Sequence, residues 1–236
     1  MCEAGGRTVV FTGAGMSTES GLPDFRSKNG IWRNVDPMEL ATTNAMRQDY
    51  DRFHAFYADR FEQMGDAAPN RGHEILADWE KRGLVQCIVT QNVDGLHTAA
   101  GSINVLELHG SIGSVRCCDC GGRAGREAFI AGEPCAFCGG RLRPGVVLFG
   151  EGLPEDALSA AWTEAEKADV FLVLGSSLQV SPANHLPVLA KRGGALLAIC
   201  NRDVTHLDET ADLLCHRGIG EFLAELDAEV RRAGER

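Results

Sequence analysis

The chain has 236 residues, 44% of them hydrophobic and 24% charged, which suffices for one or two globular domains with a buried core. Its 33 acidic residues outnumber its 23 lysines and arginines, and the resulting net charge of −10 argues against direct binding of nucleic acid. Its apolar stretches are far shorter than the ~20 residues that span a bilayer, and residues 1–7 lack the pattern of a signal peptide, so we expect a cytoplasmic protein with no membrane contact.

Five short apolar runs predict buried strands, and each of them ends in polar residues or glycine. They are Thr8–Thr12, 85–90, 105–108, Val170–Leu174 and 195–200. Helical patterns alternate with them at Arg71–Lys81, 155–167, 183–192 and 221–231. Nearly continuous Val/Ile/Leu strands that alternate with helices indicate a parallel sheet covered on both faces, which is a Rossmann-type α/β domain. Because ligands bind at the carboxyl ends of such strands, we expect the functional site there.

Two stretches do not fit this sheet and predict a smaller domain. Residues 36–66 are helical and aromatic, whereas residues 111–143 are rich in glycine and cysteine. The predicted division assigns 1–35, 82–110 and 144–236 to the nucleotide-binding domain. It assigns 36–81 to a helical module and 111–143 to a zinc-binding module.

Four cysteines have the spacing of a zinc ribbon. Cys117 and Cys120 are separated by two residues, and after fourteen more residues Cys135 and Cys138 repeat the pattern. Two such pairs can offer four thiolates in a tetrahedron, which leaves no open position for water and predicts a structural Zn²⁺. A redox dithiol would need only one pair. Cys118 is an extra thiol, and the spacing does not decide whether it replaces Cys117.

The turn after the first strand has features of a phosphate-binding loop. Gly13-Ala14-Gly15 would let the backbone approach a diphosphate at the start of a helix. The third glycine of the dehydrogenase pattern is missing, because Thr18 stands at its position. Asn201 and Asp203 follow a late strand, where they could bind ribose hydroxyls or form an ordinary turn.

Taken together, several segments resemble the signatures of the sirtuin family, in family order and over about residues 7–225. The matching segments are GAGMSTESGLPDFR at 13–26, TQNVDGLH at 90–97, LHG at 108–110, the two cysteine pairs, RPGVVLFGE at 143–151, GSSLQVSPA at 175–183, and Asn201. This resemblance implies a Rossmann-type large domain with a small domain made of a helical and a zinc module. It also implies NAD-dependent removal of acyl groups from protein lysines, which releases nicotinamide and O-acyl-ADP-ribose.

The resemblance also implies roles for individual residues. His109 would be the general base, and Asn92 and Asp94 would order the nicotinamide ribose and the carboxamide. The other implied or candidate NAD contacts are Gly13, Ala14, Gly15, Ser17, Asp24, Phe25, Arg26, Gln91, Gly175, Ser176, Ser177, Asn201, Asp203 and Ile219. The acyl-lysine tunnel would be lined by Val147, Phe149 and Val180. We expect acyl-lysine proteins or peptides as partners and a monomeric enzyme.

The helical insertion carries a pair of residues that bears on the acyl group. Tyr57 and Arg60 are i, i+3 neighbours within an apolar stripe, where an arginine is costly unless an anion meets it. A sirtuin branch that removes succinyl, malonyl and glutaryl groups resembles this segment, including a small residue sixteen positions earlier, here Ala41. We therefore expect a pocket that accepts acidic acyl groups besides acetyl. In the alternative interpretation Arg60 reaches solvent or pairs with Asp59 or Glu62.

Other activities could use the same motifs. Mono-ADP-ribosyl transfer or NAD hydrolysis would need the same NAD site with a different nucleophile. A non-catalytic NAD sensor could dispense with His109, Asn92 or Asp94, yet all three are present. A zinc-ribbon nucleic-acid binder would need clusters of basic residues that 111–143 lacks. The retained His109 favours deacylation.

Overall fold

The computed structural model describes residues 6–28, 30–33, 35–65 and 67–234, so Cys2 and the outermost ends of the predicted nucleotide-binding domain lie outside it. The strands of this part are β1 Thr8–Thr12, β2 Cys87–Thr90, β3 Val105–Glu107, β4 Gly110–Cys117, β5 Arg123–Ala124, β6 Leu142–Val146, β7 Val170–Leu174, β8 Leu196–Cys200 and β9 Leu213–Cys215. Its α-helices are α1 Pro37–Leu40, α2 Thr43–Gln48, α3 Tyr50–Gly65, α4 Arg71–Lys81, α5 Leu96–Ala99, α6 Arg126–Ile130, α7 Glu155–Glu166, α8 His185–Arg192 and α9 Ile219–Gly234. Among these helices, none combines the length and the apolar character needed to cross a bilayer.

The large sheet is parallel and six-stranded, with the order β3-β2-β1-β7-β8-β9. Its central strands are apolar on both faces: Val9 and Phe11 pack into one core cluster, and Val10 packs into another on the opposite face. The chain builds outward from β1 to β3, crosses over, and continues from β7 to β9. The boundary between β1 and β7 is therefore the topological switch point, where such sheets bind ligands. This arrangement confirms the predicted Rossmann-type sheet.

The predicted strands and helices of the large domain differ from the observed ones mainly at their ends, whereas β4, β5 and β6 lie in or beside 111–143, for which no strand was predicted. The start and end of β1, β7 and α4 coincide with the predicted ranges. Helix α4 starts where the pattern places it because the Asn70 side chain accepts hydrogen bonds from the Gly72 and His73 amides. Strand β9 was not predicted, since it is a short edge strand whose Leu213 and Leu214 are exposed.

The small domain combines helix α3 with the antiparallel sheet β5-β4-β6. Phe53, Tyr57 and Phe61 of α3 share one buried cluster with Val115 and Leu142 of that sheet. Helix α3 thus packs directly on the cysteine-bearing module.

Helix α4 packs elsewhere, although the sequence grouped it with the helical module. Its Ile75, Leu76 and Trp79 are buried against the large sheet, together with Leu223 of α9. The predicted domain limits stay a prediction, and this packing favours ending the helical module before Arg71.

Candidate active site

One cavity of about 360 Å³ opens at the carboxyl ends of the central strands, between the two domains. Every residue predicted to be catalytic, to bind the cofactor or to bind the substrate lines this cavity. They come from separate segments that only the fold brings together. The cavity also includes residues to which the sequence analysis gives no role, among them Glu19, Phe56, Met64, Ile112, Glu151 and Arg217.

The floor of the cavity is a close contact between two glycine turns. The Gly13 N–H donates to the Leu174 carbonyl at 3.0 Å, and the Gly15 N–H donates to the Gly175 carbonyl at 2.9 Å. A Cβ atom on Gly15 would lie 2.7 Å from the Gly175 Cα, and one on Gly175, whose φ is +63°, would lie 2.5 Å from the Met16 nitrogen. Side chains are excluded from this contact, so the backbone itself faces the cavity, as diphosphate binding requires.

A polar network joins the end of β2 to the first glycine turn. The Asn92 Nδ2 donates to the Gly13 carbonyl at 3.0 Å and to the Ser17 Oγ at 3.2 Å. The Ser17 hydroxyl in turn donates to Asp94 Oδ2 at 2.7 Å. Asn92 and Ser17 are buried, so their orientation is fixed before any ligand arrives.

Gln91 connects this network to the second glycine turn. Its Nε2 donates to the Ser176 Oγ at 2.8 Å, directly after Gly175. Its backbone carbonyl points the other way and lies 2.9 Å from the Nδ1 of His109. Gln91 thereby links the predicted phosphate contacts to the predicted base.

The hydrogen bond of His109 determines which ring nitrogen can act. A carbonyl oxygen only accepts hydrogen bonds, so Nδ1 carries the proton and Nε2 is the free acceptor. Burial lowers the pKa of His109 and the nearby charge of Arg26 lowers it further, against the opposing effect of the Gln91 carbonyl. The imidazole is therefore neutral at neutral pH, and it lines the cavity with its Nε2 able to accept a proton.

The segment after the first turn folds over the cavity. Asp24 Oδ1 accepts hydrogen bonds from the Arg26 and Ser27 amides at 3.1 and 2.8 Å, and the Asp24 carbonyl accepts one from Ile31 at 2.9 Å. These bonds place Phe25 on the cavity wall. Burial lowers the pKa of Arg26.

The far end of the cavity is formed by loops that follow β8 and β9. The Asn201 Nδ2 donates to the Asp203 carbonyl at 2.7 Å, and His216 Nδ1 donates to the Asn201 carbonyl at 2.8 Å. Asp203 itself is exposed at the cavity edge. Ile219 begins α9, and the next amide of that helix, Gly220, donates to Glu19 Oε1 at 2.9 Å.

The end of the cavity next to helix α3 contains Ala41, Tyr57 and Arg60, which are all buried. Arg60 is only 6% exposed, and its Nη1 has no hydrogen-bond partner among the described residues. Asp59 instead accepts a hydrogen bond from Gln63. Burial raises the pKa of Tyr57, which keeps its hydroxyl protonated, and burial lowers the pKa of Arg60. Within the described chain, Arg60 therefore neither reaches solvent nor forms an ion pair.

The segment 147–151 lines the cavity and is hydrogen-bonded to both domains. The Val147 N–H donates to the His109 carbonyl at 2.8 Å, and the Phe149 N–H donates to the Ala41 carbonyl at 2.9 Å. Glu151 closes the segment by accepting two hydrogen bonds from the buried Arg143, at 2.5 and 2.9 Å. Val180 lies on the cavity wall as well.

The four cysteines of the ribbon meet at one point. One ligand atom from each of Cys117, Cys120, Cys135 and Cys138 lies within 4.8 Å of the others. The Sγ–Sγ distances are 3.5 Å for Cys117–Cys138 and 3.7 Å for Cys120–Cys135. Zn–S bonds of about 2.3 Å in a tetrahedron place sulfurs about 3.8 Å apart, so this donor set fits Zn²⁺. Cys118 stands outside the cluster, with its Sγ 3.9 Å from Met46 Sδ.

Several functional neighbours carried no readable sequence signal. Glu19 meets Gly220 across 201 positions of sequence, and only the folded arrangement of α9 places them together. Arg143 and Glu151 lie at the two ends of the segment 143–151 and form an ion pair. Their spacing of eight residues matches neither a helical nor a strand contact, so the residue order does not predict this pair.

Comparisons with known proteins agree with this geometry. The model of the Sir2 family matches residues 13–182. The "NAD-dependent protein deacetylase 1" of Geobacillus kaustophilus is 55% identical over 225 residues, covering 94% of this chain and 93% of that protein. The "NAD-dependent protein deacylase 1" of Archaeoglobus fulgidus is 45% identical over 229 residues, covering 95% and 93%.

Solved structures of Sir2 homologues have the same fold as this chain. A mutant Sir2 homologue in complex with ADP-ribose superposes with a TM-score of 0.92 at 43% identity, covering 96% of this chain and 92% of that one. A Sir2 homologue in complex with NAD gives a TM-score of 0.90 at 44% identity, covering 96% and 90%. Because the matches extend over nearly the whole chain and include the two glycine turns, the His109 strand end and the cysteine module, this protein belongs to the Sir2 family.

Proposed function

We propose that this protein removes acyl groups from protein lysines with consumption of NAD. The main support for this proposal is the state of His109. Its Nε2 is a free, neutral acceptor in a cavity between the glycine turns and the segment 147–151. The relatives named as NAD-dependent deacetylases and deacylases support it. Mono-ADP-ribosyl transfer and NAD hydrolysis are not favoured, because neither needs this base.

The residues of the cavity have distinct tasks in this reaction. When bound, NAD would supply an electrophilic ribose carbon with nicotinamide as its leaving group, and a ribose hydroxyl that receives the acyl group, while water completes the release of the free lysine. Gly13, Gly15 and Gly175 let the backbone contact the diphosphate. Asn92 and Asp94, held by Ser17, orient the nicotinamide ribose.

His109 moves the proton in this scheme. Its Nε2 accepts a proton from a ribose hydroxyl, while Nδ1 stays anchored to the Gln91 carbonyl. Phe25 covers the site and keeps water from the reacting carbon. The cysteine cluster holds one structural Zn²⁺, which has no part in the chemistry because all four ligand positions are protein sulfurs.

We further propose that the pocket accepts acyl groups that end in a carboxylate, such as succinyl and malonyl. Arg60 offers a buried cation with an unpartnered Nη1, and the protonated Tyr57 hydroxyl can donate a further hydrogen bond. The small Ala41 leaves room for the longer chain. A buried charge-assisted contact of this kind is worth roughly 1.5–3 kcal/mol, which is about ten- to hundredfold in selectivity.

The test compares one peptide in acetyl-lysine and succinyl-lysine form, with acyl removal followed by mass. Wild type, Arg60→Met and His109→Tyr are assayed, and Arg52→Met is the control, because Arg52 is an exposed arginine of the same helix that pairs with Glu39. We expect Arg60→Met to lower succinyl removal about ten- to hundredfold and to spare acetyl removal. His109→Tyr should abolish both, and Arg52→Met should change neither.

Other outcomes would contradict specific parts of the proposal. Succinyl removal that is insensitive to Arg60 would make the protein an ordinary deacetylase, with Tyr57 and Arg60 as packing residues of α3. Consumption of NAD by the wild type without loss of either acyl group would favour the transferase or hydrolase.

A further inference from the structure

Arg60 has one notable neighbour that comes from the other half of the cavity. Its Cζ lies over the ring of Phe25, 5.6 Å from the ring centroid. Phe25 belongs to the segment that covers the cofactor side, whereas Arg60 belongs to helix α3 of the small domain. The contact therefore spans the boundary between cofactor binding and acyl binding.

The backbone around Phe25 is firmly fixed. Asp24 binds the amides of the two residues that follow Phe25, and its carbonyl binds Ile31. Gly30 packs against Phe25 so closely that a Cβ atom there would lie 2.5 Å from the Phe25 carbonyl carbon. The ring is thus presented to the cavity by a tight turn.

Arg60 depends on this ring. Its side chain is buried, forms no ion pair within the described residues and leaves Nη1 without a hydrogen-bond partner. A guanidinium over an aromatic face is attracted by the ring quadrupole, and the attraction grows when the pair is desolvated. The Phe25 ring therefore both compensates part of the buried charge and fixes the plane of the guanidinium.

We propose that Phe25 is a positioning residue for Arg60 and thereby a determinant of acyl specificity. This inference rests on the proposed binding of acidic acyl groups by Arg60. A carboxylate gains its full two-point contact only with a guanidinium held in one orientation. An acetyl group has no carboxylate, so its binding does not depend on that orientation.

The test uses the ratio of kcat/KM for succinyl-lysine peptide to kcat/KM for acetyl-lysine peptide. Phe25→Leu and Phe25→Tyr are compared with wild type, because leucine removes the aromatic face and tyrosine keeps it. If Phe25→Leu exposes the reacting carbon to water, the rates for both substrates change alike, so this effect cancels in the ratio. We expect Phe25→Leu to lower the ratio about tenfold, mainly through a higher KM for the succinyl peptide. Phe25→Tyr should keep the ratio of the wild type.

A double-mutant cycle separates this inference from the proposed function. In an Arg60→Met background, Phe25→Leu should leave the ratio where Arg60→Met alone places it. An unchanged ratio in Phe25→Leu, with a lowered ratio in Arg60→Met, would overturn the inference and leave the acyl proposal intact. An unchanged ratio in Arg60→Met would overturn the acyl proposal itself. Thermal unfolding of each variant shows that the ratios come from folded protein.

Discussion

The two walls of the cavity differ in whether backbone or side chains form them. We call the wall proposed to bind the cofactor the cofactor wall: its floor is backbone, where the glycine turns at the ends of β1 and β7 meet with side chains excluded, and the side chains of Asn92 and Gln91 border this floor. We call the wall proposed to bind the acyl group the acyl wall: it consists of side chains on α3, and that helix packs on the cysteine module. A wall of backbone tolerates almost no substitution, whereas a wall of side chains can change its chemistry while the fold stays the same.

The walls also differ in what stabilises them. The cofactor wall belongs to a sheet whose central strands are buried on both faces, so apolar burial holds it. The acyl wall shares its core cluster with Cys117 and Cys135, which are two of the four metal ligands. The acyl wall should therefore depend on the metal, and the cofactor wall should not.

The largest expected effect comes from removing the metal. Chelation of Zn²⁺ should unfold 111–143 and loosen α3, because this module has too few apolar residues to fold without its cross-link. Hydrogen exchange should then become fast in the module and in α3 but stay slow in β1 and β7. Acyl removal should be lost together with the acyl wall.

Single cysteine variants provide matched controls for this effect. Cys135→Ser should lose the metal, and Cys118→Ser should keep one Zn²⁺ per chain, because Cys118 lies outside the cluster. Equal loss of protection in β1 and in the module after chelation would show that the two walls do not fold independently.

A smaller effect is expected from the contact between the glycine turns. Gly175→Ala adds a Cβ atom 2.5 Å from the Met16 nitrogen at a φ of +63°, so it combines backbone strain with a clash. We expect a loss of about 2–5 kcal/mol in the free energy of unfolding, from about 1–2 for the conformation and about 1–3 for overpacking. The KM for NAD should rise as well. Denaturant unfolding and NAD titration of the rate measure both quantities.

Gly83→Ala is the control for the strain alone. Gly83 has a φ of +70°, but no atom of the described residues lies within 4 Å of an added Cβ. It should cost only about 1–2 kcal/mol and leave the KM for NAD unchanged. Equal losses in the two variants would show that the close approach of the turns is not what makes the cofactor wall rigid.

The difference between a wall formed by backbone and a wall formed by side chains also explains which features could be predicted from the sequence. Backbone features follow local patterns: the runs of β1 and β7 and the glycines that follow them define the sheet and its site directly from the residue order. Asn92 and His109 could be placed because each lies within two residues of the end of a predicted strand, 85–90 for Asn92 and 105–108 for His109. The cysteine spacing likewise predicts its own geometry.

Contacts between side chains of distant segments were not predictable. The Phe25–Arg60 contact joins a turn to a helix of another domain, and no periodicity relates positions 25 and 60. Strand β9 escaped prediction because an exposed edge strand lacks the apolar run of a buried one. The choice of Cys117 over Cys118 depends on a turn geometry that the spacing leaves open.

The smallest expected effect concerns pH and the electrostatics of the cofactor wall. The proposed base must be neutral, and burial with the nearby Arg26 charge lowers the pKa of His109 from its ordinary value of 6.5. A lower pKa moves protonation to lower pH, so the acid limb of kcat/KM should lie below pH 6.5. Arg26→Gln removes the charge that lowers the pKa of His109 and leaves the effect of burial, so we expect the limb to move to higher pH. The measured quantity is the pH at the midpoint of this acid limb, because weaker NAD binding lowers kcat/KM at every pH and does not move the midpoint.

Arg33→Gln provides the charge-matched control, since Arg33 is exposed and does not line the cavity. It should leave the limb in place. A limb above pH 6.5 in the wild type would contradict a buried, neutral His109 as the base. A limb that moves equally in both variants would mean that net charge tunes the base. Only a shift confined to Arg26→Gln identifies a cation that belongs to the cofactor wall, and it would show that this wall, although built of backbone, sets its electrostatics through a side chain.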